Sequence, residues 1–135
     1  MGKLLIGCDP EVFMFNPNTK KYVAALGRIE VDKNNPLKVK DGAVQVDGNA
    51  LELNTDPASD VNQFTDNVAS VYSQLKAMVP GYELHAIPHV AFDKADWDLL
   101  PEEAKKLGCD PDWNVYTQKL NTIPANVGDI PERDG

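Results

Sequence analysis

The chain holds little of several residue types on which common sites depend: two cysteines, two histidines, two tryptophans and only two arginines in 135 residues. Cys8 and Cys109, in a chain with no secretory pattern, read as free thiols, and two cysteines alone build no zinc site. His85 and His89 have no Cys-x2-4-Cys pair to join them, so no recognisable zinc spacing is complete. Arg28 and Arg133 are the only planar, five-donor cations, so a phosphate clamped by several arginines is excluded. Long apolar runs are also missing. Met1 to Ile6 is too short for a signal peptide and nothing later approaches the ~20 residues of a membrane span, which sets the expectation of a cytoplasmic protein. There is no glycine-rich phosphate loop ending in Lys-Ser/Thr, no Gly-x-Gly-x-x-Gly after a strand, no His-Glu-x-x-His and no Gly-x-Ser-x-Gly. A cysteine nucleophile would need an activating base that the sequence does not place.

What is present is an ordinary globular composition, 42% hydrophobic and 25% charged, with an acidic excess: 21 Asp and Glu against 13 Lys and Arg, a formal charge of -8. That field repels nucleic acids, nucleotides and anionic membranes, so no nucleic-acid or membrane partner is expected. Any phosphate handled by this chain needs a divalent cation as a bridge, and an acid-rich surface is what such a bridge requires.

The pattern predicts an α+β domain over residues 1–121 with an irregular tail at 122–135. Lys3 to Cys8 and Glu11 to Phe15 read as a bent or edge strand interrupted at Pro10, and Asn16-Pro17-Asn18-Thr19 is turn chemistry before a second, antiparallel strand at Lys21 to Leu26. Gly27 to Lys40 reads as a loop. Asp41-Gly42 and Gly48-Asn49 bracket a strand at Ala43 to Val46, and Ala50 to Asn54 follows as another. Then the period changes. Val61, Phe64, Val68, Val71, Leu75 and Met78 recur at spacings of three and four, one apolar face of a helix that Asp60 caps, with Gln63 three residues on, and Pro80-Gly81 ends. Tyr82 to Ile87 alternates as a strand, and Pro101 to Leu107 reads as a short helix.

Three stretches could carry chemistry. Asp9 and Glu11 are two residues apart, so in an extended strand their carboxylates share a face and make a metal pair; the plain alternative is a turn at Asp9-Pro10. In Ala50 to Asn54, Glu52 and Asn54 lie on one face and Leu51 and Leu53 on the other, which turns Glu52 away from any helix the leucines meet. Glu83 and His85 repeat the spacing of two, where a solvated face is the plain alternative. Gly7-Cys8-Asp9-Pro10-Glu11 recurs as Gly108-Cys109-Asp110-Pro111-Asp112, without other similarity around it, and reads as repeated use of a turn.

Taken in order, Gly7 to Glu11, Asp47-Gly48 with Glu52-Leu53-Asn54, and Gly108 to Asn114 resemble the phage-encoded carboxylate-amine ligases, or amidoligases, of the glutamine synthetase and glutamate-cysteine ligase superfamily. The resemblance implies an antiparallel sheet with one long amphipathic helix on one face, the N-terminal portion of a glutamine synthetase-like catalytic core. It implies that Glu11, with Asp9 beside it, and Glu52 are metal ligands, with Asp47 a further candidate. Asp110, Asp112 and Asn114 match a motif that could shape a substrate mouth or only a turn. Family members continue into a Gly-Gly-His-x-His strand that is absent here.

The implied activity is ATP-dependent amide-bond formation through an acyl phosphate, with Mg2+ or Mn2+ and with ATP as co-substrate. The partners would be small-molecule or peptide carboxylates and amines, in the host cytoplasm if the chain is phage-encoded, with the oligomeric state open. The missing histidine strand makes this a truncated or incomplete core, expected to be inactive by itself. Two rivals stand beside it: a non-catalytic phage accessory or binding module on the same sheet, and a metal-dependent hydrolase using the same carboxylates.

Overall fold

The computed structural model describes residues 2–31, 34–105, 112–121 and 132–134. Its organising element is an antiparallel sheet whose longer strands alternate buried faces. Strand β1 (Glu11–Asn16) is followed by β2 (Lys21–Val23), β3 (Leu37–Val39), β4 (Gly42–Asp47) and β5 (Ala50–Thr55), in the spatial order β2-β1-β5-β4-β3. After helix α1 (Val61–Met78), strand β6 (Glu83–His85) returns to pair with β1. Met14 and Phe15 have partners in both β2 and β6, so of the two expected forms, bent or edge, the edge one is corrected: β1 is an interior strand. The apolar run before it stays out of the sheet: Leu4, Leu5 and Ile6 are exposed, and Ile6 makes only an isolated bridge to Ala58. Pro10, which has no N–H to give a ladder, marks the break.

The expected loop at 27–40 contains β3, a strand the composition conceals. It pairs antiparallel with β4, its Val39 packs against the core, and its central Lys38 is directed to Asp56 at 2.7 Å, a charged residue of the kind that keeps an edge from pairing further.

Alternation gives the sheet two different faces. On one, Val12, Met14, Val44, Val46, Leu51 and Leu53 meet Val71, Leu75 and Val79 in a buried core. Helix α1 starts where expected: the Asp60 carboxylate accepts the Gln63 N–H at 2.9 Å, a cap worth about 1 kcal/mol. The reciprocal half of the box is displaced, since Gln63 Oε1 accepts the Ser59 N–H at 2.9 Å. The helix phase is right from its middle onward and wrong at its start. Val61 is 76% exposed, and Phe64 and Val68 are half-buried, because the first turns do not lie over the sheet. The first fully buried helix residue is polar: Asn67 donates to the Asp56 carbonyl at 2.9 Å.

The opposite face is partly roofed. Strand β7 (His89–Ala91) leads into α2 (Lys94–Asp98), a short helix that no periodicity announces, and Val90, Phe92 and Trp97 pack there against Phe13, Ala24 and Ala50. Helix α3 (Glu102–Lys105) agrees with the expected short helix; its expected end at Gly108 lies outside the described residues. A two-stranded hairpin, β8 (Trp113–Asn114) and β9 (Lys119–Leu120), forms a separate sheet. Within the expected irregular tail, β10 (Glu132–Asp134) pairs antiparallel with β7, a ladder that needs backbone groups and no side-chain pattern. No helix among the described residues is long and apolar enough to cross a membrane.

Lys21 ties this roof to β2. Its ammonium lies 3.1 Å from Asp93 and 3.5 Å from Asp96, and Asp93 also caps α2 by accepting the Ala95 N–H at 3.1 Å. The hydrogen bond from Lys21 lowers the Asp93 pKa below its ordinary 3.8, helped by the Asp96 backbone N–H; the same bond raises Lys21 above 10.5. The sign follows. Asp93 stabilises the fold above pH 3.8 and loses that contribution as pH falls through its lowered value, while Lys21 contributes below 10.5 and loses it as pH rises through its raised one. A carbon-13 NMR titration should place the Asp93 midpoint below 3.8, and Lys21→Met should move it upward. An Asp93 midpoint unchanged by that substitution would contradict the assignment.

Candidate metal centre

The face of the sheet away from α1 carries the acids. Glu11 on β1 stands directly opposite Glu52 on β5, and Gln45 on β4 stands opposite Glu52 from the other side. Asp47, two residues beyond Gln45, projects from the same face. One carboxylate oxygen from each of Glu11, Asp47 and Glu52 lies within 4.8 Å of the other two. Leu51 and Leu53, fully committed to the α1 core, leave Glu52 no other direction.

The group is graded in exposure. Glu52 is 8% exposed, and Glu11 and Asp47 are half-buried. Gln45, itself buried, donates from Nε2 to Glu52 Oε2 at 2.8 Å, fixing one carboxylate oxygen. Three carboxylates this close repel one another, and a divalent cation offsets that repulsion. The donor set, hard oxygens on adjacent rigid strands, suits Mg2+ or Mn2+, which take a few protein carboxylates and complete their shell with water or phosphate.

The sequence-derived candidates separate here. Glu11, Asp47 and Glu52 are brought together. Asp9 is exposed and not in the group: carboxylates two residues apart share a face only along a regular strand, and β1 begins at Glu11. Asp110 lies outside the described residues. Asp112 is exposed, with its carbonyl accepting the Asn121 N–H at 2.9 Å. Asn114 is occupied by its own hairpin, where Oδ1 accepts the N–H groups of Tyr116 and Thr117 at 3.0 and 3.1 Å and Nδ2 reaches Asn121 at 3.1 Å. That is turn chemistry, one of the two roles its motif left open.

Glu83 and His85 make a different arrangement. His85 Nε2 lies 3.0 Å from Glu83 Oε2, its Nδ1 lies 3.0 Å from the Tyr22 hydroxyl, and Phe15 stacks on its ring at 4.9 Å. The carboxylate, imidazole and phenol form one hydrogen-bonded line across β6, β1 and β2. Sequence reasoning missed Tyr22 and Gln45, since both are joined to their partners only by strand register. Alternation from Glu52 would have found Gln45 once the β4–β5 turn was placed. Comparison of the chain with protein-family models, with curated proteins and with solved structures gives no match, so what the chain is similar to rests on its own residues.

Proposed function

We propose that the chain binds a divalent cation through Glu11, Asp47 and Glu52, and that this centre is the metal-holding part of an ATP-dependent carboxylate-amine ligase core. One observation carries the reading: three carboxylates from three neighbouring antiparallel strands converge on the sheet face opposite the helix. Support comes from the resemblance of Gly7 to Glu11 and of Asp47-Gly48 with Glu52 to Asn54 to the amidoligases, which implies Glu11 and Glu52 as ligands and Asp47 as a further candidate. A bound Mg2+ or Mn2+ would neutralise the β- and γ-phosphates of ATP against this acidic face. A substrate carboxylate oxygen would then bond to the γ-phosphorus as the bond to ADP breaks, and an amine nitrogen would displace phosphate from the acyl carbon. The part of this chain's own residues is to bind and orient. Glu11, Asp47 and Glu52 hold charge in place, and Gln45 keeps Glu52 from turning.

A second reading, a non-catalytic binding module on the same sheet, is favoured by the placement of arginine. Phosphoryl transfer needs cations facing the carboxylates across the phosphate, and Arg28, one of two arginines, instead lies over the ring of Tyr82, which packs on the α1 side. Thermal unfolding of the full chain with and without Mn2+, beside ADP release with pooled amino acids and peptides as acceptors, separates the outcomes. Mn2+ raises the midpoint by mass action in both readings. Acceptor-dependent ADP release supports the ligase, its absence with protection retained supports the module, and no protection removes both.

A further inference from the structure

We infer that a cleft at the β2 edge of the sheet binds a small monocarboxylate with an apolar, preferably aromatic, tail, and that Arg28 receives its carboxylate. The cleft encloses about 500 Å³, within the range of small-molecule sites. Tyr22, Tyr82, Phe92, Trp97 and Leu100 give it aromatic and apolar surface beside polar groups, and its charged residues are Lys21, Arg28 and Asp96.

The two cations on that lining are not equivalent. Lys21 is already held by Asp93 and Asp96, at 3.1 and 3.5 Å, so an incoming anion would have to break an existing pair. Arg28 is exposed, and no carboxylate is paired with it among the described residues; its guanidinium rests on the face of Tyr82, 5.5 Å from the ring centre. A cation–π contact does not consume the guanidinium's N–H donors, which can meet a planar carboxylate with two parallel hydrogen bonds. The backbone holds Arg28 in this position. Its N–H donates to the Ala25 carbonyl at 2.9 Å, closing a tight turn in which Gly27 takes the left-handed φ of +76°.

Charge decides the class of ligand. One arginine balances one negative charge, and the chain's formal charge of -8 opposes a dianion such as a phosphate monoester. The apolar lining selects the tail. This cleft stands independently of the Glu11, Asp47 and Glu52 centre, and its occupancy requires no cation there.

The test is a nitrogen-15 NMR titration of the full chain with 3-phenylpropionate, its neutral analogue 3-phenylpropanamide, and phenyl phosphate. The expected result is low-millimolar binding of the acid, as befits a ligand of about eleven heavy atoms. Shifts should be confined to the cleft lining, above all the Trp97 indole, residues 21–28, Tyr82, Phe92 and Leu100. The amide should bind about fivefold more weakly, and Arg28→Gln should reduce the acid to the level of the amide. Because Arg28 is exposed, the variant's spectrum outside the cleft serves as the check on folding, and the amide comparison on the unaltered chain stands without it. Equal affinity for acid and amide, tighter binding of phenyl phosphate, or shifts mapping elsewhere would overturn the proposal.

Discussion

Gly42→Ala should unfold this protein more readily than any other single methyl addition at the glycines described, with a loss of about 3 kcal/mol or more in a denaturant titration. A Cβ built on Gly42 runs into the backbone carbonyl oxygen of Asn54 and stands 2.8 Å from Val71 Cγ2. The first neighbour is main chain of the adjacent β5 and the second is a fully buried residue of α1, so neither can step aside. Relief requires parting β4 from β5 or lifting the helix from the sheet, and both open the same core. Gly48→Ala is the matched comparison. Gly48 has φ +58° and open space around its missing Cβ, so the cost there is only the left-handed backbone, about 1–2 kcal/mol. Equal costs at the two sites would mean that α1 does not press on β4 as described.

Glu52→Gln should lower Mn2+ affinity by about 100-fold or more while leaving the fold intact. Groups that merely orient a ligand account for roughly 10- to 100-fold in metal affinity, and Glu52 is a ligand held in place by such a group. The substitution keeps side-chain shape and an acceptor for Gln45 Nε2, and it removes the charge. Gln45→Leu should act through Glu52, with a smaller loss of about 10-fold. Asp9→Asn should have almost no effect, because Asp9 is exposed and not in the group. If Asp9→Asn and Glu52→Gln weaken Mn2+ equally, the cation is a diffuse counterion of an acidic surface.

How much of this could be read from sequence depends on which force fixes each element. Strands β4 and β5 and the middle of α1 were legible because one buried face imposes a period: Val44 and Val46, Leu51 and Leu53, Val71 and Leu75. Glu52 became a candidate by the same logic, since its neighbours are leucines. Asp9 misled because alternation was extended through Pro10, past the start of the strand. Val61 misled because periodicity states that a face is apolar and not how far its cover reaches. Strand β3 gives the core only Val39 and strand β10 pairs with β7 through its backbone, so neither shows a period in the sequence. Trp97 and Phe92, which roof the second face, sit around a five-residue helix too short to show a period. Tyr22 and His85, 63 positions apart, meet only because β1 pairs with both of their strands.

The most direct test of the cation centre is paramagnetic broadening by Mn2+ in the nitrogen-15 spectrum of the full chain. Substoichiometric Mn2+ should first erase the amides of Glu11, Gln45, Asp47 and Glu52, while those of Leu75 and Met78 on α1, behind the sheet, persist. The same addition to Glu52→Gln should leave the Glu11 and Asp47 amides visible. Broadening that spreads evenly over the acidic surface, or that begins elsewhere than at these three strands, would contradict the assignment of a divalent cation to Glu11, Asp47 and Glu52.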